Sequence, residues 1–175
     1  MSNTDFLNQT EHISDIFTRI MARIMTPNLA DGESDEITAS QFQALKHIAH
    51  NGPCTIGSIA GGLGISQPAA TMLVDRMVRK GLLERHAGRS DRRQTDVSLA
   101  SHGAELLDRI EAERAAKLAQ IVRLMDQPER EQFVESLERF VEAALEVEKS
   151  PSQACLRCGT EHHEDCIVNK IREHG

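Results

Sequence analysis

Apolar residues recur along this chain at intervals of three and four, the spacing of one helix face, in several stretches separated by turn-forming residues. From Thr4 to about Met25, the residues Phe6, Ile13, Ile16, Phe17, Ile20 and Ile24 fall mostly on one side of a helical period. An amphipathic helix is predicted there, ended by Thr26-Pro27-Asn28 and followed by an acidic loop from Leu29 to Ile37. From about Ala39 to His50, Phe42, Leu45 and Ile48 form a second inner stripe, stopped by Asn51-Gly52-Pro53. Thr55 carries the hydroxyl a helix N-terminus needs, which places a short helix from Ile56 to about Leu63. Gly64 supplies the left-handed residue that ends it. Ser66 is the cap of the next helix, Pro68 fits its first turn, and Gly81 follows Lys80 as a terminator. Two short helices joined around a glycine have the helix-turn-helix layout.

Beyond that pair, Leu83 to His86 and Thr95 to Leu99 read as two brief strands. The polar, basic run Ala87-Gly88-Arg89-Ser90-Asp91-Arg92-Arg93 lies between them as a hairpin. Ser101 and Asp126 are the expected caps of two further helices, about His102 to Met125 and Pro128 to Glu148. Leu106, Leu107, Ile110, Leu118 and Ile121 form the apolar stripe of the first. Phe133, Leu137, Phe140, Val141 and Leu145 form that of the second. The expected fold is mainly α with a small two-stranded β-wing, a winged helix-turn-helix, and no internal repeat is present.

Charge sharpens this picture. The 175 residues carry a net charge of −7, the wrong overall sign for coating nucleic acid. Its distribution is uneven. Between Thr55 and Arg93 seven cations (Arg76, Arg79, Lys80, Arg85, Arg89, Arg92, Arg93) face three anions (Asp75, Glu84, Asp91), a net +4. Between Ser101 and Lys149 twelve acids face seven bases, a net −5. A basic middle flanked by acidic helices can meet phosphate on one side and repel it elsewhere. Tyr and Trp are absent and Phe occurs five times, so the core must be aliphatic. No basic leader precedes an apolar run, and no stretch approaches the roughly 18 apolar residues that span a bilayer, so a cytoplasmic protein with no membrane partner is expected.

The major groove of DNA, about 12 Å wide, admits one helix, which reads base edges with residues near its N-terminus. Here those residues are Ser66, Gln67, Ala70 and Thr71. Gln can pair with adenine through two hydrogen bonds, hydroxyls reach bases or phosphates, and Ala tolerates a thymine methyl. Ala69, Leu73, Val74 and Met77 are expected to hold the helix on the core, with Arg76, Arg79 and Lys80 placed for phosphate. Arg89, Arg92 and Arg93 in the hairpin can reach the backbone or a narrow minor groove. Asp91 would repel DNA unless it braces a neighbouring Arg.

The run GLGISQPAATMLVDRMVRKGLLERHAGRSDRRQTDVSLASHG resembles the recognition helix and wing of the multiple-antibiotic-resistance-regulator (MarR) family. Its most telling part is Asp91-Arg92-Arg93 followed by Val97, Leu99 and Gly103, and the resemblance extends over roughly Thr4 to Lys149. It implies an intertwined homodimer that binds pseudo-palindromic double-stranded promoter DNA, acting as a repressor released by a small-molecule effector. On matching positions it implies DNA contacts by Ser66, Gln67, Ala70 and Thr71 in the helix and by Arg89, Arg92 and Arg93 in the wing. The chain then divides into an N-terminal dimerisation helix and loop (1–37), a winged helix-turn-helix (38–100), C-terminal dimerisation helices (101–149) and a cysteine-rich tail (150–175). The family's hydroperoxide-sensing branch uses an N-terminal cysteine assisted by tyrosines; this chain has neither, which disfavours that mechanism.

The tail falls outside the usual family pattern. It reads Cys155-Leu-Arg-Cys158-Gly159-Thr-Glu-His162-His163-Glu-Asp-Cys166. Two thiolates two residues apart can turn toward one ion, and a histidine three or four residues before Cys166 shares its side of a helical turn. Cys155, Cys158, His163 and Cys166, with His162 as the alternate ligand, would form a Cys₃His tetrahedron suited to zinc. The alternatives are a redox-sensing thiol pair, an iron–sulfur centre, or an unliganded tail. A regulatory role for metal or oxidant follows from its place after the dimerisation helices. Cys54 is read as a small packed residue rather than a sensor, and His12, His47 and His50 as core or surface residues rather than ligands.

An enzyme is not expected. Four tail ligands would close the ion's shell to substrate water, and there is no glycine-rich phosphate loop, G-x-S-x-G elbow or H-E-x-x-H. The rivals are a protein-binding winged helix and, less favoured, a small zinc- or thiol-dependent enzyme.

Overall fold

Side-chain caps set most helix starts. The computed structural model describes residues 2–25, 37–87 and 95–148. Helix α1 spans Asn3–Met25 and α2 spans Ala39–Asn51. The start of α2 is a reciprocal capping box: Thr38 Oγ1 accepts from the Gln41 N–H at 3.3 Å, and Gln41 Oε1 accepts from the Thr38 N–H at 2.9 Å. Strand β1, Cys54–Thr55, leads directly into α3, Ile56–Leu63, where Thr55 Oγ1 accepts from the Ser58 N–H at 3.2 Å. Gly64 closes α3 at φ 65°, ψ 35°, a conformation costly for any residue with a Cβ, and α4 follows at Gln67–Arg79.

Strands β2, Leu83–Ala87, and β3, Thr95–Leu99, form the antiparallel wing. The expected two-stranded wing is part of a three-stranded sheet, order β1-β3-β2. Cys54 and Arg85 both pair with Val97, whose side chain is fully buried. Two residues are too few to show an alternating pattern, so only the long-range pairing defines β1.

Helix α5 runs Ser101–Val122 and α6 runs Gln127–Glu148. The expected Ser101 cap is corrected: Ala100 occupies the cap position and makes no side-chain cap bond, and Ser101 is already helical. A tertiary bond holds this start instead, with the Ala100 N–H donating to the Leu82 carbonyl at 3.0 Å. Helix α5 also ends at Val122, short of the expected Met125. Arg130 Nε reaches back to the Val122 and Met125 carbonyls at 2.9 Å each, pinning a tight turn there. Asp126 does cap α6, accepting from the Glu129 N–H at 2.9 Å while Glu129 accepts from the Asp126 N–H at 2.8 Å.

One aliphatic core joins these elements. It contains Phe42, Leu45 and Ile48 of α2, Ile59 of α3, Val74 and Met77 of α4, Leu83 and Val97 of the sheet, and Leu106, Leu107 and Ile110 of α5. The stripes expected on α2 and on the first half of α5 therefore face inward. Those on α1 and α6 are largely outward: Phe6, Ile13, Phe17, Phe133, Leu137 and Phe140 are all exposed, while Ile24 at the end of α1 is buried. Leu118 and Ile121, on the far half of α5, share that exposure.

Candidate nucleic-acid interface

Helix α4 opens with three exposed residues, Gln67 to Ala69, and packs on the core from Ala70 onward. Ser66 Oγ accepts from the Ala69 N–H at 3.4 Å, and Pro68 occupies the first turn, where its missing N–H costs nothing. Ser66 and Gln67 are exposed, so the positive end of the helix dipole and one amide side chain point to solvent. Thr71 is half-buried and its hydroxyl donates to the Gln67 carbonyl at 2.9 Å, which steadies the turn carrying Gln67.

Ala70 is a correction to the expected reading set. It is fully buried and cannot meet a base, whereas Ala69, expected to pack, is exposed. The inward face is Ala70, Val74 and Met77, spaced four and three residues apart. That phase turns Ala69 and Met72 outward. Met72 was missed in the sequence, where a methionine at helical spacing reads as core, yet it is 59% exposed.

Arg76 and Arg79 are exposed in the last turns of the same helix. Asp75, which would oppose phosphate, is held by Arg85 of β2, whose Nη2 donates to Asp75 Oδ1 at 2.6 Å. This pair ties α4 to the wing and cancels a negative charge beside the two arginines. On the wing itself His86 Nε2 lies 2.8 Å from Ser98 Oγ across the strands. Arg89, Arg92, Arg93 and Asp91 lie outside the described residues.

Next to Gln67 is an open cavity of about 430 Å³ lined by Thr55, Ile56, Gly57, Gln67 and Thr95. It brings the starts of α3 and α4 to the first residue of β3. Thr55 was legible as a cap, but its closeness to Gln67 and Thr95 comes from folding alone.

Behind this surface, His47 is buried between α2 and α3, with Nε2 3.4 Å from Ser58 Oγ and Nδ1 3.4 Å from Asn51 Nδ2. Burial, helped by the nearby His50, holds its pKa below the usual imidazole value. Burial likewise pushes the Cys54 thiol up, opposed by a hydrogen bond with Ser58 and reinforced by Asp96. Cys54 is thus a packed thiol on the edge of the core rather than an activated thiolate. Among the described residues, no three His, Cys, Asp or Glu side chains gather into a metal-binding group. Cys155, Cys158, His162, His163 and Cys166 lie outside the described residues.

Comparison with known proteins fits this geometry. Residues 36–94 match the profile of the MarR family. The HTH-type transcriptional repressor MdtR of Bacillus subtilis is 26% identical over 140 residues, covering 78% of this chain and 90% of its own length. The crystal structure of YusO from Bacillus subtilis superposes with a TM-score of 0.70 at 21% identity, over 82% of this chain and 99% of that one. FabT of Streptococcus pneumoniae, solved in complex with DNA, gives a TM-score of 0.66 at 19% identity, over 81% and 99%. The stretch that matches the MarR-family model holds α2, the capped pair α3 and α4, and β2, and the chain's long helices α1, α5 and α6 lie on either side of it in sequence.

Proposed function

We propose that this protein is a transcription regulator that binds pseudo-palindromic promoter DNA as a homodimer and represses the genes it controls. The observation that carries this reading is the exposed, Ser66-capped start of α4, followed on the same helix by Arg76 and Arg79 and braced to the wing through Asp75 and Arg85. A groove of DNA needs such a helix end, with cations where the phosphates run. The name of MdtR and the DNA complex of FabT support the same function.

The dimer is supported by the apolar faces of α1 and α6, which line an open groove of about 380 Å³ between Phe6, Ile13, Phe17, Phe133, Leu137 and Phe140. Exposed phenylalanine and isoleucine in such a run are costly in water, and a second copy of the same helices covers them. Two reading helices then meet half-sites about one helical turn, or a multiple of it, apart.

Zinc held by Cys155, Cys158, His163 and Cys166, or a thiol–disulfide change among those cysteines, is the proposed modulator, with a small-molecule effector as the other route to release. The support is the ligand spacing in the sequence. No helix among the described residues is long and apolar enough to cross a membrane, which agrees with a regulator at work on the chromosome in the cytoplasm.

The test is a gel-shift of the full chain on the DNA upstream of its own gene, with sedimentation to give the mass of the free protein. Retarded duplex at protein concentrations where a scrambled duplex stays free, from a species of twice the protomer mass, is expected. A monomer that retards neither duplex would defeat the proposal. Metal analysis of fresh protein, and the same gel-shift with chelator or peroxide, test the tail separately: no metal and no response would remove it from the mechanism.

A further inference from the structure

Resting on the DNA-binding reading above, we infer that Met72, with Ala69 beside it, reads thymine by packing against its C5-methyl group in the major groove. The inward face of α4 is fixed by Ala70, Val74 and Met77, all fully buried. At 3.6 residues per turn, the face opposite carries Pro68, Ala69, Met72, Arg76 and Arg79, each of them exposed. The N-terminal half of the outward face is therefore apolar, and its largest group is a flexible thioether chain, 59% exposed.

Two features choose the occupant. Arg76 and Arg79 follow Met72 on this face, and Asp75 is neutralised by Arg85 at 2.6 Å, so whatever approaches carries negative charge around an apolar contact. A DNA groove meets that description, and the one apolar group on its base edges is the thymine methyl. The exposed apolar surface on α1 and α6 belongs to different helices and is the face proposed for the second copy. Gln67 hydrogen-bonds at the helix tip, while Met72, more than one turn further along, supplies the complementary methyl contact. Methionine adapts its three side-chain torsions to the methyl's position, which a branched residue cannot do as freely.

The experiment uses the full chain and a duplex that it selects from a randomised library, resynthesised with deoxyuridine in place of thymidine at one position at a time. Uracil keeps every hydrogen-bonding group of thymine and lacks only the methyl. At one or two positions per half-site the substitution is expected to weaken binding about fourfold, the size of losing one buried methyl-sized group. Met72→Ala is expected to bind thymidine and deoxyuridine duplexes alike at those positions, and Met72→Leu to restore part of the difference. Because Met72 is exposed, both variants are expected to melt like the parent, and both should keep its salt dependence. An identical thymidine/deoxyuridine profile for parent and Met72→Ala overturns the inference, as does a parent that binds with full salt dependence but ignores the methyl everywhere. If no duplex is selected at all, the DNA-binding reading itself falls, a result distinct from either.

Discussion

Replacing Gly62 by Ala puts one methyl where there is no room for it. Gly62 sits inside α3 with its α-carbon against the His47 imidazole of α2, and a Cβ built there collides with two atoms of that ring and crowds a third. His47 is 8% exposed and held between Ser58 and Asn51, so the ring has little freedom to swing aside. Forcing an added carbon into a packed site costs about 1–3 kcal/mol. Helix propensity works the other way, since Ala is better than Gly in a helix interior by about 1 kcal/mol. The net expectation is a loss of up to about 2 kcal/mol, set against the roughly 5–15 kcal/mol that holds a domain together. For a protein of this size that lowers Tm by up to roughly 8 °C, measured at fixed protein concentration because the melting of the proposed dimer would depend on it. The cause is checked by repeating the substitution in a His47→Ala background. With the ring gone, Ala at position 62 should be neutral or stabilising, giving a coupling of about 1 kcal/mol or more between the two sites. Helix α3 abuts α4, the helix proposed to enter the groove, so the single variant should also bind promoter DNA more weakly. If Gly62→Ala is as stable as the parent in both backgrounds, the close packing of α2 on α3 is not what positions the helix pair.

His47 also predicts a pH dependence. Its folded pKa lies below the ordinary value of about 6.5, so the unfolded chain takes up a proton more readily than the folded one. The stability it contributes is complete above about pH 6.5 and is lost as pH falls toward the folded pKa; urea titrations from pH 7.5 down to 5.5 should show a steeper decline for the parent than for His47→Gln. Ser66→Ala removes the cap of α4 and should cost about 1 kcal/mol in thermal melts, together with some DNA affinity, whereas unchanged values for both would mean the cap is idle. Arg76→Ala should lower affinity for all duplexes alike and reduce the slope of log affinity against log salt by about 0.9; an unchanged slope would remove Arg76 from the phosphate contacts. Gln67→Ala should instead relax base preference by about 1–3 kcal/mol at one position, read from a binding-site selection.

Much of the site was legible before folding because helix ends are written in short, local codes. The hydroxyls of Thr55 and Ser66, the carboxylate of Asp126 and the left-handed Gly64 each act within four residues of themselves, and each does what its spacing predicted. The division into basic centre and acidic flanks is equally local. Ala69 and Ala70 were not separable on such grounds. They are adjacent, equally small and equally good helix formers, and only docking against the core decides which of them turns inward.

The order of residues along the chain settles where α2, α3, α4 and α6 begin, that a capped pair precedes a hairpin, and where positive charge collects, since these depend on near neighbours. Only the closed fold fixes the phase of α4, the third strand at Cys54–Thr55, the cap of α5 at Ala100 and the bracing of Asp75 by Arg85. Each of these joins residues distant in sequence, or chooses between near-equivalent local options, so its free energy exists only once the core has closed.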